Sequence, residues 1–242
     1  GCEISESEKA LVDKYFPLTP SDGGSPLDGT GGPDGSYYYY VDNMGSPPDT
    51  ATFDWIELCG DPNAVNATGV GDEGVTTVTL PWSFPFYGSS YTSLNYQVNG
   101  WIQFGSTSNP NGYTPTCPWA SLTHTYRVIA AYYRDQNAAL YGSCKSPTAA
   151  PWMRHRIDAD KVIIEWKLVP QYGSSTVFYT YEAILYADGR IKLQYNHTPP
   201  AGATGAIGID GVGASDGVQY ACGSVDLLAK IIPGRAVWFY RQ

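Results

Sequence analysis

Residues 80–105 read LPWSFPFYGSSYTSLNYQVNGWIQFG, and two runs within them place apolar side chains at alternating positions. Tyr96 and Val98 precede Asn99-Gly100, and Ile102 and Phe104 follow it in the same alternation. An Asn-Gly pair accepts the positive φ angles of a type I′ turn, so the stretch predicts a β-hairpin with one buried face. Trp82, Phe84 and Phe86 continue the alternation upstream. Pro81 and Pro85 lack the N–H that a ladder needs, which places that segment at a sheet edge or a strand entrance.

Working outward, the second half of the chain repeats this pattern. Val162, Ile164, Trp166 and Leu168 alternate with Ile163, Glu165 and Lys167. Residues 177–186 form the next predicted strand, with Tyr181, Ala183 and Leu185 inward and Glu182, Ile184 and Tyr186 outward. The turn 187–190 leads into Ile191, Leu193 and Tyr195, and residues 205–209, 218–221 and 235–240 supply three more strands. Towards the N-terminus, residues 37–42, 53–58, 75–80 and 127–133 read as strands, with 138–141 a short partner for the last. No long helical period interrupts the series. The expected fold is therefore an all-β antiparallel β-sandwich, jelly-roll-like, spanning residues 31–242.

Residues 1–30 differ from this body. SESEKALVDKYF (residues 5–16) has a capping-box pattern at Ser5 and Glu8 and apolar spacing at Leu11, Val12, Tyr15 and Phe16. It predicts a short amphipathic helix, or a strand that adds to another sheet. The Gly/Pro/Asp-rich run 19–36 links this arm to the sandwich.

The chain carries a net charge of −9, from 14 basic and 23 acidic residues, with no basic cluster to attract phosphate. Nucleic acid is not an expected partner. No apolar run reaches the length of a membrane span, and no signal pattern stands at the N-terminus, so an export signal is expected to have been removed. Five cysteines without a CxxC pair suit an oxidising compartment better than a zinc site. Pairing Cys117 with Cys144 and Cys59 with Cys222 leaves Cys2 unpaired, lipid-anchored or intermolecular. Asn66 and Asn196 head N-glycosylation sequons.

Candidate chemistry is sparse. Ser215 matches GxSxG but lies in a Gly-rich loop between two strands, where a nucleophile elbow needs a helix to follow. Glu165 and Glu182 on neighbouring strands could form a glycosidase pair, but the predicted register sends both to a solvated outer face. His124, His155 and His197 lack metal-ligand spacing. Asp28, Asp34, Asp42, Asp49, Asp54, Asp210 and Asp216 sit in loops suited to a structural Ca²⁺, although Asx turns account for most of them without metal. No other cofactor is expected.

The GGPDG of residues 31–35, residues 37–42, and Phe53-Asp-Trp-Ile56 resemble the GGPD…YxWxDS…FxWI opening of secreted bacterial and archaeal β-sandwich modules. Residues 80–105 resemble their LPFxFPFYGxxYxSVxVSSNGFLSFG signature, with Trp82, Tyr96 and Trp101 substituted. Residues 127–135 occupy the place of an IAPFWDD strand, keeping Asp135 but not Pro-Phe-Trp. Residues 177–195 resemble an FQVILYEDGxIxFQY hairpin, and 207–222 a VGIEN…DGLQYSC segment. The chain is also loosely similar to the nidogen-type extracellular domain. The resemblance implies a secreted, non-catalytic sandwich and offers no catalytic residues.

With the arm preceding a module that fills nearly all of the sequence, the expectation is an extracellular structural or adhesive protein. It would self-associate, as a filament subunit, by adding its arm to a neighbour's open sheet edge. The alternative is a carbohydrate-binding module that stacks glycans on residues 37–40, Trp101 and Trp119.

Overall fold

The computed structural model describes residues 29–44, 51–107, 115–119, 126–138, 152–213 and 215–242. The expected helix at 5–16, Cys2, Asp28, Asp49, His124, most of 138–141 and Cys144 lie outside these residues. In chain order the strands are β1 (Thr30–Gly31), β2 (Tyr38–Asp42), β3 (Val65–Asn66), β4 (Val75–Phe86) and β5 (Ser89–Gln97). They continue with β6 (Trp101–Gln103), β7 (Val128–Tyr133), β8 (Trp152–Ile157), β9 (Lys161–Pro170) and β10 (Phe178–Tyr186). The last are β11 (Ile191–Tyr195), β12 (Ala206–Asp210), β13 (Gly217–Cys222) and β14 (Arg235–Arg241), with one helix, α1 (Gly223–Lys230), before β14.

An eight-stranded sheet runs β1-β2-β14-β11-β10-β9-β8-β3 and faces a six-stranded sheet, β13-β12-β7-β6-β5-β4. The fold is the expected antiparallel β-sandwich. Between the sheets lies one core that includes Tyr96, Val98, Ile102 and Phe104 from the deciding stretch and Ile164, Trp166, Tyr181 and Leu193 from the opposite sheet. The abundance of tyrosine has a physical reason, because many phenols bury a ring and still satisfy the hydroxyl. Tyr195 donates to the Ala131 carbonyl at 2.6 Å, Tyr220 to Asp42 at 2.7 Å, and Tyr181 shares hydrogen bonds with Gln136.

Three local readings need correction. The β5–β6 connection is not a two-residue type I′ turn, since only Gly100 has positive φ (+75°) and the loop holds three residues, 98–100. Such loops place a glycine in the left-handed position of a bulge. Asn99 is drawn inward, where its Oδ1 accepts the Gln136 N–H at 2.8 Å. Residues 53–58 belong to no strand, because they cross a sheet face rather than join an edge. Strand β8 and helix α1 were not expected. The β8 sequence WMRHRI alternates charge with apolar groups too weakly to announce itself, and α1 is only eight residues long.

Candidate functional site

The outward face of the larger sheet is covered by the crossing segment, residues 51–64. It carries Ile56 and Leu58, which pack with Trp152, Ile163, Ile184 and Tyr186 in a cluster separate from the inter-sheet core. A chain crossing strands cannot pair its backbone with theirs, so its buried N–H groups need side-chain acceptors. The sheet supplies them in a row. Gln194, Glu182 and Glu165 are directly opposite one another on β11, β10 and β9, and Arg154 on β8 is opposite Glu165.

Alternate N–H groups of the segment meet this row in order. The Asp54 N–H donates to Gln194 Oε1 at 2.6 Å, the Ile56 N–H to Glu182 Oε1 at 3.3 Å, and the Leu58 N–H to Glu165 Oε2 at 2.9 Å. Gln194 Nε2 returns a bond to the Asp54 carbonyl at 2.7 Å and also reaches Glu182. Arg154 closes the row by donating to the carbonyls of Leu58 and Ala64. Because both the extended segment and a cross-strand row advance by a regular repeat, three residues of sheet read three alternate residues of strap.

Glu165 and Glu182 are therefore fully buried, not solvated as the register suggested. The alternation itself was right, but the outer face has a second layer. Burial pushes the Glu165 carboxyl up to about 9, aided by the negative charge of Glu57, while the Leu58 N–H and Lys167 oppose the rise. Burial likewise raises Glu182 to about 8 against the pull of the Ile56 N–H, Gln194 and Lys192. Lys167 Nζ lies 2.7 Å from Glu57 and 3.8 Å from Glu165, and over the Trp55 ring. These carboxyls are acceptors for backbone, covered by chain, and the arrangement serves to hold the strap. The sequence held one signal for this cover: Ile163 and Ile184 are apolar at outward positions and need something to bury them.

The six-stranded sheet has a cover of its own. Trp101 points away from the inter-sheet core and packs with Trp119, Val128, Ala130, Tyr133 and Ala206. Residues 115–119 lie over it, fixed by the Trp119 N–H on Gln219 Oε1 at 2.7 Å and by a disulfide between Cys117 and Cys222. This corrects the expected pairing of Cys117 with Cys144 and of Cys59 with Cys222. Cys117 is bonded to Cys222 at the end of β13, whereas Cys59 packs in the cluster on the outer face of the other sheet. Cys59 is itself disulfide-bonded, and its partner falls outside the described residues. Each of the two covers thus carries a cystine.

The other expected site residues are placed as follows. Ser215 lies in the β12–β13 connection, its carbonyl accepting the Gly35 N–H at 2.7 Å, and a strand follows it, not a helix. His155 is buried with Nδ1 3.0 Å from the Tyr96 hydroxyl, and burial followed by the charge of Arg154 lowers its pKa. His197 is buried among Tyr132, Tyr179 and Tyr181, which lowers it to about 4. Asp34 accepts the N–H groups of Ser36 and Tyr38 and the Tyr87 hydroxyl, and Asp42 accepts from Met44 N–H and Tyr220. Asp216 accepts from Ser36, while Asp210 is buried and raised to about 9 by that burial and by Asp216. Asn66 and Asn196 are exposed. Trp101, Trp119, Tyr38 and Tyr40 are buried and present no stacking platform, whereas Tyr37 is 60 % exposed.

Asp72, Glu73 and Asp135 bring carboxylate oxygens within 4.8 Å of one another beside the Asn99 turn. Burial first, and then their mutual repulsion, raises Asp72 and Asp135. Their hard oxygen ligands would suit Ca²⁺ better than a softer ion. Glu73 already accepts from Gln97 Nε2 at 2.7 Å and from Asn99 Nδ2, so the group also has a structural use. No described helix is long and apolar enough to cross a membrane.

No curated protein and no solved structure matches this chain. A family model described as NIDO related matches residues 48–230, from the first cover through helix α1. That span takes in both covers and most of both sheets, and with the Cys117–Cys222 disulfide it is consistent with an extracellular setting. The chain belongs to the NIDO-related family, and what it carries is a nidogen-like module.

Proposed function

We propose that this protein is a non-catalytic extracellular structural or adhesive protein that self-associates through residues 1–30, the arm of one copy adding a strand to the sheet of the next. The observation that supports this reading is an open edge. Among the described residues the six-stranded sheet ends on β4, which pairs with β5 alone. Pro81 and Pro85 block the distal half of β4, and Gly69 lies against Val75 at its start. Residues 77–80 between them have no strand partner on their outer side among the described residues, and an unpaired edge readily accepts another extended chain. The absence of catalysis is part of the proposal, supported by the commitment of Glu165 and Glu182 to the strap backbone and by the strand after Ser215. Occupied glycans at the exposed Asn66 and Asn196 fit the same setting.

Light scattering over a concentration series tests the reading. The whole chain is expected to form species that grow with concentration, and a chain lacking residues 1–30 to stay monomeric. A shortened chain that still polymerises, or a whole chain that is strictly monomeric, would defeat it.

A further inference from the structure

Where the β4–β5 and β10–β11 turns meet the start of β2 and the end of β14, the surface sinks into a cavity of about 420 Å³. That volume is within the range of small-ligand sites. It is lined by Arg190 and Arg241, Asp188, Ser89 and Ser90, and Tyr38. Two arginines lining one hollow stand out in a chain with only 14 basic residues and a net charge of −9.

Both cations are held in place. Arg190 lies over the rings of Tyr186 and Trp238 at 5.3 and 5.4 Å and bonds Asp188 through Nε at 2.8 Å. Arg241 Nε donates to the Ser36 carbonyl at 3.0 Å, the one hydrogen bond its side chain makes among the described residues. Both terminal nitrogens of Arg241 thus remain for an oxyanion, and a planar fork matches a carboxylate or sulfate geometrically. Stacking and tethering lower the entropy lost when a ligand is bound.

The rest of the lining narrows the ligand. Asp188 accepts hydrogen bonds and donates none, and it would repel a polyanion such as a polyphosphate. Serine hydroxyls both donate and accept. A fitting ligand therefore carries one oxyanion and several hydroxyl donors on a compact frame. We infer that this cavity binds an acidic saccharide unit, its carboxylate or sulfate on Arg241 and Arg190 and its hydroxyls on Asp188 and one serine of the Ser89-Ser90 pair. Of the aromatic residues 37–40, Trp101 and Trp119 that the sequence offered for sugar stacking, the site shares Tyr38 alone, and it does not depend on self-association.

The test is titration calorimetry on the whole chain with sodium glucuronate, glucose 6-sulfate, glucose, sodium acetate and sodium sulfate. One or both acidic sugars should bind in the millimolar range, and which of them binds identifies the oxyanion. Glucose and the bare anions should bind at least about tenfold more weakly. Arg241→Gln should weaken the acidic sugar about tenfold while leaving the unfolding midpoint unchanged, since Arg241 is exposed. Arg190→Gln should do the same. The inference is overturned if neither acidic sugar binds, if acetate or sulfate binds as tightly as the sugars, or if Arg241→Gln binds like the parent.

Discussion

Replacing Glu165 by glutamine should make this protein more stable at alkaline pH and leave it nearly unchanged at acid pH. Burial holds the folded-state carboxyl near 9, whereas in the unfolded chain it returns to about 4.3. Below the unfolded value both states keep the proton and the group contributes no pH dependence. Between the two values the unfolded chain releases a proton that the folded chain retains, so stability falls as pH rises, by up to about 1.4 kcal/mol per pH unit. Above the folded value both are ionised and the loss levels off. Glutamine is of the same size and never ionises, and its carbonyl can still accept the Leu58 N–H.

Over pH 5–8 the ceiling on the difference is about 4 kcal/mol; allowing for relaxation and water penetration, an advantage growing by about 1–3 kcal/mol is expected. Urea unfolding of both proteins at pH 5, 6, 7 and 8, with disulfides intact, measures it. The difference between variant and parent is the quantity to follow, because other groups also tilt the raw curves. His197, held near 4 by burial, contributes stability that is lost as pH falls, and Asp210 acts in the same direction as Glu165. A gap that stays constant, or that narrows with rising pH, would mean that Glu165 is ionised beneath the strap and that the reasoning is wrong. Glu182→Gln should behave alike, levelling off near pH 8.

Two further outcomes concern the turn and the second cover. A Cβ at Gly100 would stand 2.2 Å from the Tyr132 carbonyl oxygen at φ +75°, whereas Gly105, at φ +79°, has nothing within 4 Å; Gly100→Ala should therefore cost about 2–5 kcal/mol in thermal or urea unfolding, and Gly105→Ala only about 1–2 kcal/mol. Replacing Cys117 and Cys222 together by serine opens a link across 105 positions and should cost about 5 kcal/mol by chain entropy, with a red-shifted tryptophan emission as Trp101 and Trp119 become wetted.

Much of the sandwich was legible because strand alternation is a local property. Tyr96, Val98, Ile102 and Phe104 face one core for the same reason that they occupy every second position, and the β9–β10–β11 meander follows from alternation and a tight turn at 187–190. The turn at Asn99 was recognised as a turn but not as its type, since its conformation depends on Gln136 and Glu73, which are distant in sequence. The acidic saccharide cavity had no signature, because its lining comes from four separate segments.

The limit of the sequence lay on the outer faces. Alternation tells which side chains share a face, and it does so correctly for Glu165 and Glu182, but it is silent on whether water or chain lies beyond that face. Only the tertiary structure laid residues 51–64 across β9, β10 and β11 and residues 115–119 over Trp101, and so turned two expected surface carboxylates into buried acceptors. The disulfide partner of Cys117 was undecidable for the same reason, since loop length constrains which closures are favourable but not which two covers come together. The sequence by itself determined an antiparallel sandwich, because core periodicity is written residue by residue. What overlies that core depends on contacts between segments about a hundred positions apart.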